Sequence, residues 1–157
     1  MKIGIGADHG GFDMKQELAK RLKKEGHQVI DFGNKRYDTS DDYTDFAVPV
    51  AQAVASGEVE RGVLVCGSGV GASVAANKVP GVRAALCHAD FSAQQGVEDD
   101  DLPGRPNHGY RSGLGLPLQF SRAQFSGADR HQRRLAKLRQ LENQFGPGAA
   151  CQSKTGD

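Results

Sequence analysis

The chain has 157 residues, with 20 Lys and Arg against 19 Asp and Glu and a net charge of +1. That length supports one domain with a real core, and the balanced charge excludes a polyelectrolyte surface for nucleic acid or a membrane. Three cysteines without paired spacing fit a reducing compartment. The start, MKIGIGADHGG, lacks a secretory apolar region, and no stretch nears ~18 apolar residues, so a cytoplasmic protein is expected. Lys2 to Gly6 alternates and ends in Gly, which predicts a first strand followed by Asp8-His9-Gly10-Gly11. Phe12 to Glu25 is helical: Met14, Leu18 and Leu22 share one stripe, and Gly26 supplies the stop. Val29 to Phe32 predicts strand two, and Asn34 to Asp42 a polar loop with no core residues. Phe46, Ala47, Val50, Ala51 and Val54 form a second apolar stripe closed by Gly57. Val63 to Val65 predicts strand three, and Ala72 to Asn77 the helix after it. Val82 to Cys87 predicts strand four, with a short helix from Ser92. Strands alternating with helices predict a doubly wound α/β protein, a single three-layer α/β/α domain with a parallel sheet over residues 1–145. The small, polar end at 146–157, with an incidental Cys151, is expected to be a disordered tail.

Gly62 to Gly81, GVLVCGSGVGASVAANKVPG, organises this pattern. A short strand ends at Cys66, and Gly67, Ser68, Gly69 and Gly71 turn the chain into a helix. Backbone N–H groups and the positive helix end there form an anion cradle, whose field is expected to push the Cys66 thiol toward thiolate. The bland reading of a Cys at a strand end is an inert small hydrophobe, and GxGxG alone marks many ordinary turns. Asp8 reads equally as a cap for the first helix, His9 and His88 as loop histidines, and Asp41-Asp42-Tyr43 as a solvated loop with a helix cap. Ligands of parallel sheets bind beyond the carboxyl ends of the strands, where Asp8, His9, Cys66 and His88 are all expected.

GADHGGF, DDYTDFA, CGSGVGASVAANKVPGVRAALCH and GADRHQRR, in this order, resemble the type B ribose-5-phosphate isomerase family, which includes the galactose-6-phosphate and allose-6-phosphate isomerases. The resemblance covers Met1 to about Asp101 and about Ala123 to Leu141. It implies a Rossmann-like fold and aldose–ketose isomerisation of a sugar phosphate through an enediolate, without metal or cofactor. It further implies that Cys66 is the base, that Gly67, Ser68, Gly69 and Gly71 hold the enediolate oxygens, and that Asp8, His9, Tyr43 and Asn77 meet the sugar. Arg130 and Arg134, with His9, are implied to hold the phosphate. The two arginines are four apart, hence on one helical face; the bland reading is a solvated basic face. A homodimer or dimer of dimers with a shared site is also implied.

Two departures stand out. Asp99 takes the place of the family's ring-opening His, within four consecutive carboxylates from Glu98 to Asp101. An Asp there can act as an acid–base group, with a lower pKa and a shorter reach. From 102 to 122, prolines at 103, 106 and 117 oppose the strand and helix that the family has there, and an irregular, poorly ordered segment is expected. A one-base shift of the coding frame at 102–109 can restore the family-like CLGGRITG; an authentic divergent loop is the rival. Ribose-5-phosphate is the expected substrate. The alternatives are another aldose phosphate, or a catalytically impaired member acting as a sugar-phosphate-binding or dimerisation module. A nucleotide-binding protein is disfavoured, because no GxGxxG follows the first strand and Asp8 would repel a pyrophosphate.

Overall fold

The structure, a computed structural model, describes residues 1–100 and 129–145. The expectations for 102–122, Cys151 and the tail lie outside those residues. In chain order the elements are β1 (Lys2–Ala7), a 3-10 turn (His9–Gly11), α1 (Phe12–Lys24), β2 (Gln28–Asp31) and α2 (Thr44–Ala55). They continue with β3 (Arg61–Val65), α3 (Val70–Ala76), α4 (Asp90–Asp100) and α5 (Asp129–Phe145). The described strands form a parallel sheet in the order β2-β1-β3. Leaving β1, the chain passes through α1 to one neighbour, then returns through α2 to the other. The carboxyl ends of β1 and β3 therefore flank a topological switch point.

Side-chain alternation divides the core. Ile3, Ile5 and Ala7 of β1, with Val63 and Val65 of β3, pack against Leu18, Ala19 and Leu22 of α1 and Val97 of α4. The opposite face sets Leu64 and Cys66 against Ala47, Val50 and Ala51 of α2 and Ala72 and Ala76 of α3. On that face β1 presents Gly4 and Gly6. A Cβ on Gly6 would lie 2.8 Å from Val50 Cγ2 and 3.1 Å from the Phe46 carbonyl oxygen, so the missing side chain lets α2 sit directly on β1. The two helix stops are as expected: Gly26 and Gly57 take φ values of 84° and 77°.

One expectation is corrected. Val82 to Cys87 is not a strand in the described structure. Both backbone groups of Ala84 bond the Asn77 amide instead of a neighbouring chain: Ala84 N–H donates to Asn77 Oδ1 at 2.9 Å, and Asn77 Nδ2 donates to the Ala84 carbonyl at 2.8 Å. Residues 34–42 include no buried residue, as expected, but the backbone of this loop meets a buried charge. Lys15 of α1 is fully buried, and its ammonium donates to both Asp31 oxygens at 2.9 Å and to the Asn34 carbonyl at 2.7 Å. No described helix is long and apolar enough to cross a membrane.

Candidate active site

The register places Ala7 beside Val65, so the next residues of the two strands, Asp8 and Cys66, meet beyond the sheet edge. The Cys66 thiol donates to Asp8 Oδ2 at 3.1 Å, and both residues are buried. Asp8 is the residue before the 3-10 turn but makes no side-chain cap there; its Oδ1 is buried without a hydrogen-bond partner. An acceptor held dry and unpaired is costly unless something arrives to donate to it. The capping reading of Asp8 therefore does not hold.

The expected thiolate is also corrected. Burial pushes the Cys66 thiol above its ordinary value, and the hydrogen bond to Asp8 and its negative charge push the same way; the Gly69 and Gly67 amides oppose them without prevailing. The resting site thus holds a protonated thiol against a carboxylate.

Glycines permit this meeting of chain segments. A Cβ on Gly11 would lie 2.3 Å from the Val65 carbonyl oxygen, and one on Gly10 3.1 Å from Gly67 N. Gly69 precedes α3 in the left-handed region at φ 77°. Ser68 Oγ accepts the Val70 N–H at 3.3 Å, and the surface above Gly67 is open. Tyr43, at the start of α2, lays its ring against Gly71, where a Cβ would come 2.7 Å from Cζ. His9 is partly exposed beside Asp8. Its Nδ1 lies 2.6 Å from Asp41 Oδ1, which also accepts the His9 backbone N–H at 3.0 Å.

The structure therefore brings together Asp8, His9, Tyr43, Cys66, Gly67, Ser68, Gly69 and Gly71. Asn77 lies at the far end of α3, its amide holding Ala84 and the Ser73 carbonyl. His88 is exposed beyond the segment once expected to be strand four. Asp99 falls within α4 and Arg130 within α5, their side chains outside the described residues. Arg134 is exposed on α5, which packs against α4, and no hydrogen bond or ion pair among the described residues links it to Cys66 or Asp8. Asp41 and Asn34 were read only as parts of a polar loop, and Lys15 was not singled out in the sequence. A signal existed for one of them, since Lys15 shares the buried face of Leu18 and Leu22. Among the described residues no group of three or more His, Cys, Asp or Glu could hold a metal ion.

The family described as Ribose/Galactose Isomerase matches residues 3–138. Ribose-5-phosphate isomerase B of Escherichia coli (strain K12) is 39% identical over 145 residues, covering 90% of this chain and 96% of that protein. The Mycobacterium tuberculosis (strain ATCC 25618 / H37Rv) protein of the same name is 36% identical over 146 residues, covering 90% of each. Among solved structures, Clostridium thermocellum ribose-5-phosphate isomerase B superposes with a TM-score of 0.81 at 43% identity, covering 93% of this chain and 100% of that one. The Mycoplasma genitalium ribose-5-phosphate isomerase B, solved with bound ribulose-5-phosphate, gives 0.80 at 35% identity, covering 90% of this chain and 96% of that one.

Proposed function

This chain belongs to the ribose/galactose isomerase family, and we propose that it interconverts ribose-5-phosphate and ribulose-5-phosphate through an enediolate, with Cys66 as the base. Sugar-phosphate aldose–ketose isomerisation is the activity; the residue roles that follow are our reading. The observation that carries it is the Cys66–Asp8 contact at the β1–β3 switch point.

Proton transfer between C2 and C1 needs a base that accepts a C–H proton and returns it one carbon away. Asp8 Oδ2 is the acceptor within reach of the thiol proton, and the thiolate left behind takes the C2 proton of the aldose. The pair of electrons from that C–H bond forms the C1–C2 double bond of the enediolate while the C1 carbonyl π pair moves onto O1. A proton then passes from the O2 hydroxyl to O1, the O2 electrons form the C2 carbonyl, and the C1–C2 π pair takes the proton back from the thiol at C1, which gives the ketose. Amides of the turn from Gly67 to Gly71 would donate to the enediolate oxygens as charge builds on them. Asp8 Oδ1 would accept a sugar hydroxyl, which resolves its buried, unpaired state. Tyr43 and His9 would flank the sugar. Asn77 would serve from behind, by holding the 82–87 segment to α3.

Among the described residues Arg134 makes no hydrogen bond or ion pair with Cys66 or Asp8 and is exposed on α5, and we assign it, with Arg130, to the phosphate of a site shared with a second copy. Asp99 is assigned ring opening. A turnover assay on ribose-5-phosphate tests the proposal. Cys66→Ala should lose on the order of a hundredfold or more in kcat while still binding substrate. Wild-type turnover in that variant would remove Cys66 from the mechanism.

A further inference from the structure

His9 is held twice by one carboxylate, and only one of those bonds is needed to anchor the main chain. Asp41 Oδ1 accepts the His9 backbone N–H at 3.0 Å and lies 2.6 Å from ring Nδ1. The carboxylate is itself fixed. Asn34 Nδ2 donates to Asp41 Oδ2 at 2.8 Å, and the Asn34 carbonyl accepts from buried Lys15, which also grips Asp31. The Asp41 side chain is 6% exposed and that of His9 39% exposed, so the ring is open at its other edge while its anchor is covered. His9 lies between Asp8, which meets the Cys66 thiol, and Gly10, which abuts Gly67.

We propose that Asp41 is a positioning residue: it fixes the His9 ring with Nδ1 turned inward, so that Nε2 faces the phosphorylated substrate beside Cys66. The inference rests on the isomerase reading above. An ionised carboxylate only accepts hydrogen bonds, so Nδ1 carries the proton and Nε2 is the atom left for the ligand. The charged groups that act on the ring are Asp8 at the end of β1 and Asp38 and Asp41 in the loop after β2. The hydrogen bond to Asp41 is the main influence raising the pKa of His9, and the charges of Asp41, Asp8 and Asp38 add to it. In its protonated form Nε2 is a donor suited to a phosphate or hydroxyl oxygen.

Asp41→Asn removes the negative charge from the ring's anchor, while its amide oxygen can still accept the His9 backbone N–H. The His9 ring is followed by NMR in the substrate-free protein, and kcat/KM for ribose-5-phosphate is measured against pH. We expect the His9 titration and the alkaline limb of kcat/KM to move together to lower pH in Asp41→Asn. We also expect kcat/KM at neutral pH to fall roughly tenfold or more. The same substitution should add nothing in a His9→Gln background. An unchanged profile in an active Asp41→Asn enzyme overturns the inference and leaves the isomerase reading intact, whereas an inactive wild type overturns the isomerase reading itself. If Asp41→Asn does not fold, ring ¹⁵N shifts of the wild type decide: neutral His9 should carry its proton on Nδ1, and a proton on Nε2 overturns the inference.

Discussion

Cys66 donates to Asp8 at 3.1 Å where burial already disfavours the thiolate, so the thiol should alkylate slowly at neutral pH and faster as pH rises. Asp8→Asn removes the negative charge beside the sulfur. It should speed iodoacetamide labelling of Cys66 at neutral pH, read peptide by peptide by mass spectrometry. Labelling slower than wild type would mean that Asp8 assists the thiolate in the resting site. His9 and Asp41 give a second titration. The His9 pKa is raised above 6.5, so its contribution to stability is whole below 6.5 and is lost as pH climbs through the higher folded value. For Asp41, burial alone would raise the pKa, but bonds from His9 and Asn34 outweigh it and hold it below 3.8. Its contribution is therefore whole above 3.8 and is lost as pH falls through the lower folded value. The melting temperature should accordingly decline on both sides of the window from about 4 to about 6.5, and Asp41→Asn should flatten that dependence. None of this pairing was legible in the sequence, because Asp41 and His9 are 32 residues apart and a run such as SDDYTD reads as a solvated loop.

At the scale of elements, glycine positions separate fold from chemistry. Gly11→Ala drives a methyl into the Val65 carbonyl and should cost about 3 kcal/mol of stability. Gly67→Ala meets nothing within 4 Å, so it should melt like wild type while its methyl obstructs the site and lowers kcat/KM. Denaturation midpoints and turnover, measured on both variants, check the contrast. Lys15→Met leaves Asp31 and the Asn34 carbonyl without their buried ammonium and should cost about 3 kcal/mol. Strands β1 to β3 and helices α1 and α2 were legible from the alternation of β1, the short apolar runs of β2 and β3, and helical stripes with a period of about 3.6 that stop at Gly26 and Gly57. Val82 to Cys87 was misread because an apolar run cannot show where its backbone groups will bond. Here they bond the Asn77 side chain, seven residues before Ala84. Likewise a Gly-rich turn announces an anion cradle, but not the burial of Cys66 and the carboxylate across the sheet edge, which together raise its pKa. For residues 102–109, the frame-shift reading predicts that the gene's one-base-shifted frame encodes a CLGGR-like peptide; any other peptide there leaves a divergent loop.

Across the whole molecule, Asp8, His9, Tyr43 and Cys66 gather at one sheet edge, while Arg134 is exposed on a helix packed against α4. We propose a site completed by a second copy, with the exposed Arg134 serving the partner's sheet edge. Arg134→Ala should weaken ribose-5-phosphate binding roughly ten- to a hundredfold and leave binding of unphosphorylated ribose nearly unchanged. Mixing Cys66→Ala with Arg134→Ala subunits should restore activity through hybrid dimers that carry one intact site. No recovery after demonstrated exchange would place both residues in the site of one subunit, or the arginine outside it. The central claim is that Cys66 carries the proton between C2 and C1 of a sugar phosphate, and isomerisation of ribose-5-phosphate in D₂O, followed by NMR, tests it most directly. The account predicts that the wild-type protein forms ribulose-5-phosphate whose C1 carries either the proton taken from C2 or deuterium exchanged onto the Cys66 thiol, and that Cys66→Ala gives neither turnover nor exchange. Turnover or exchange by Cys66→Ala at the wild-type rate would contradict it.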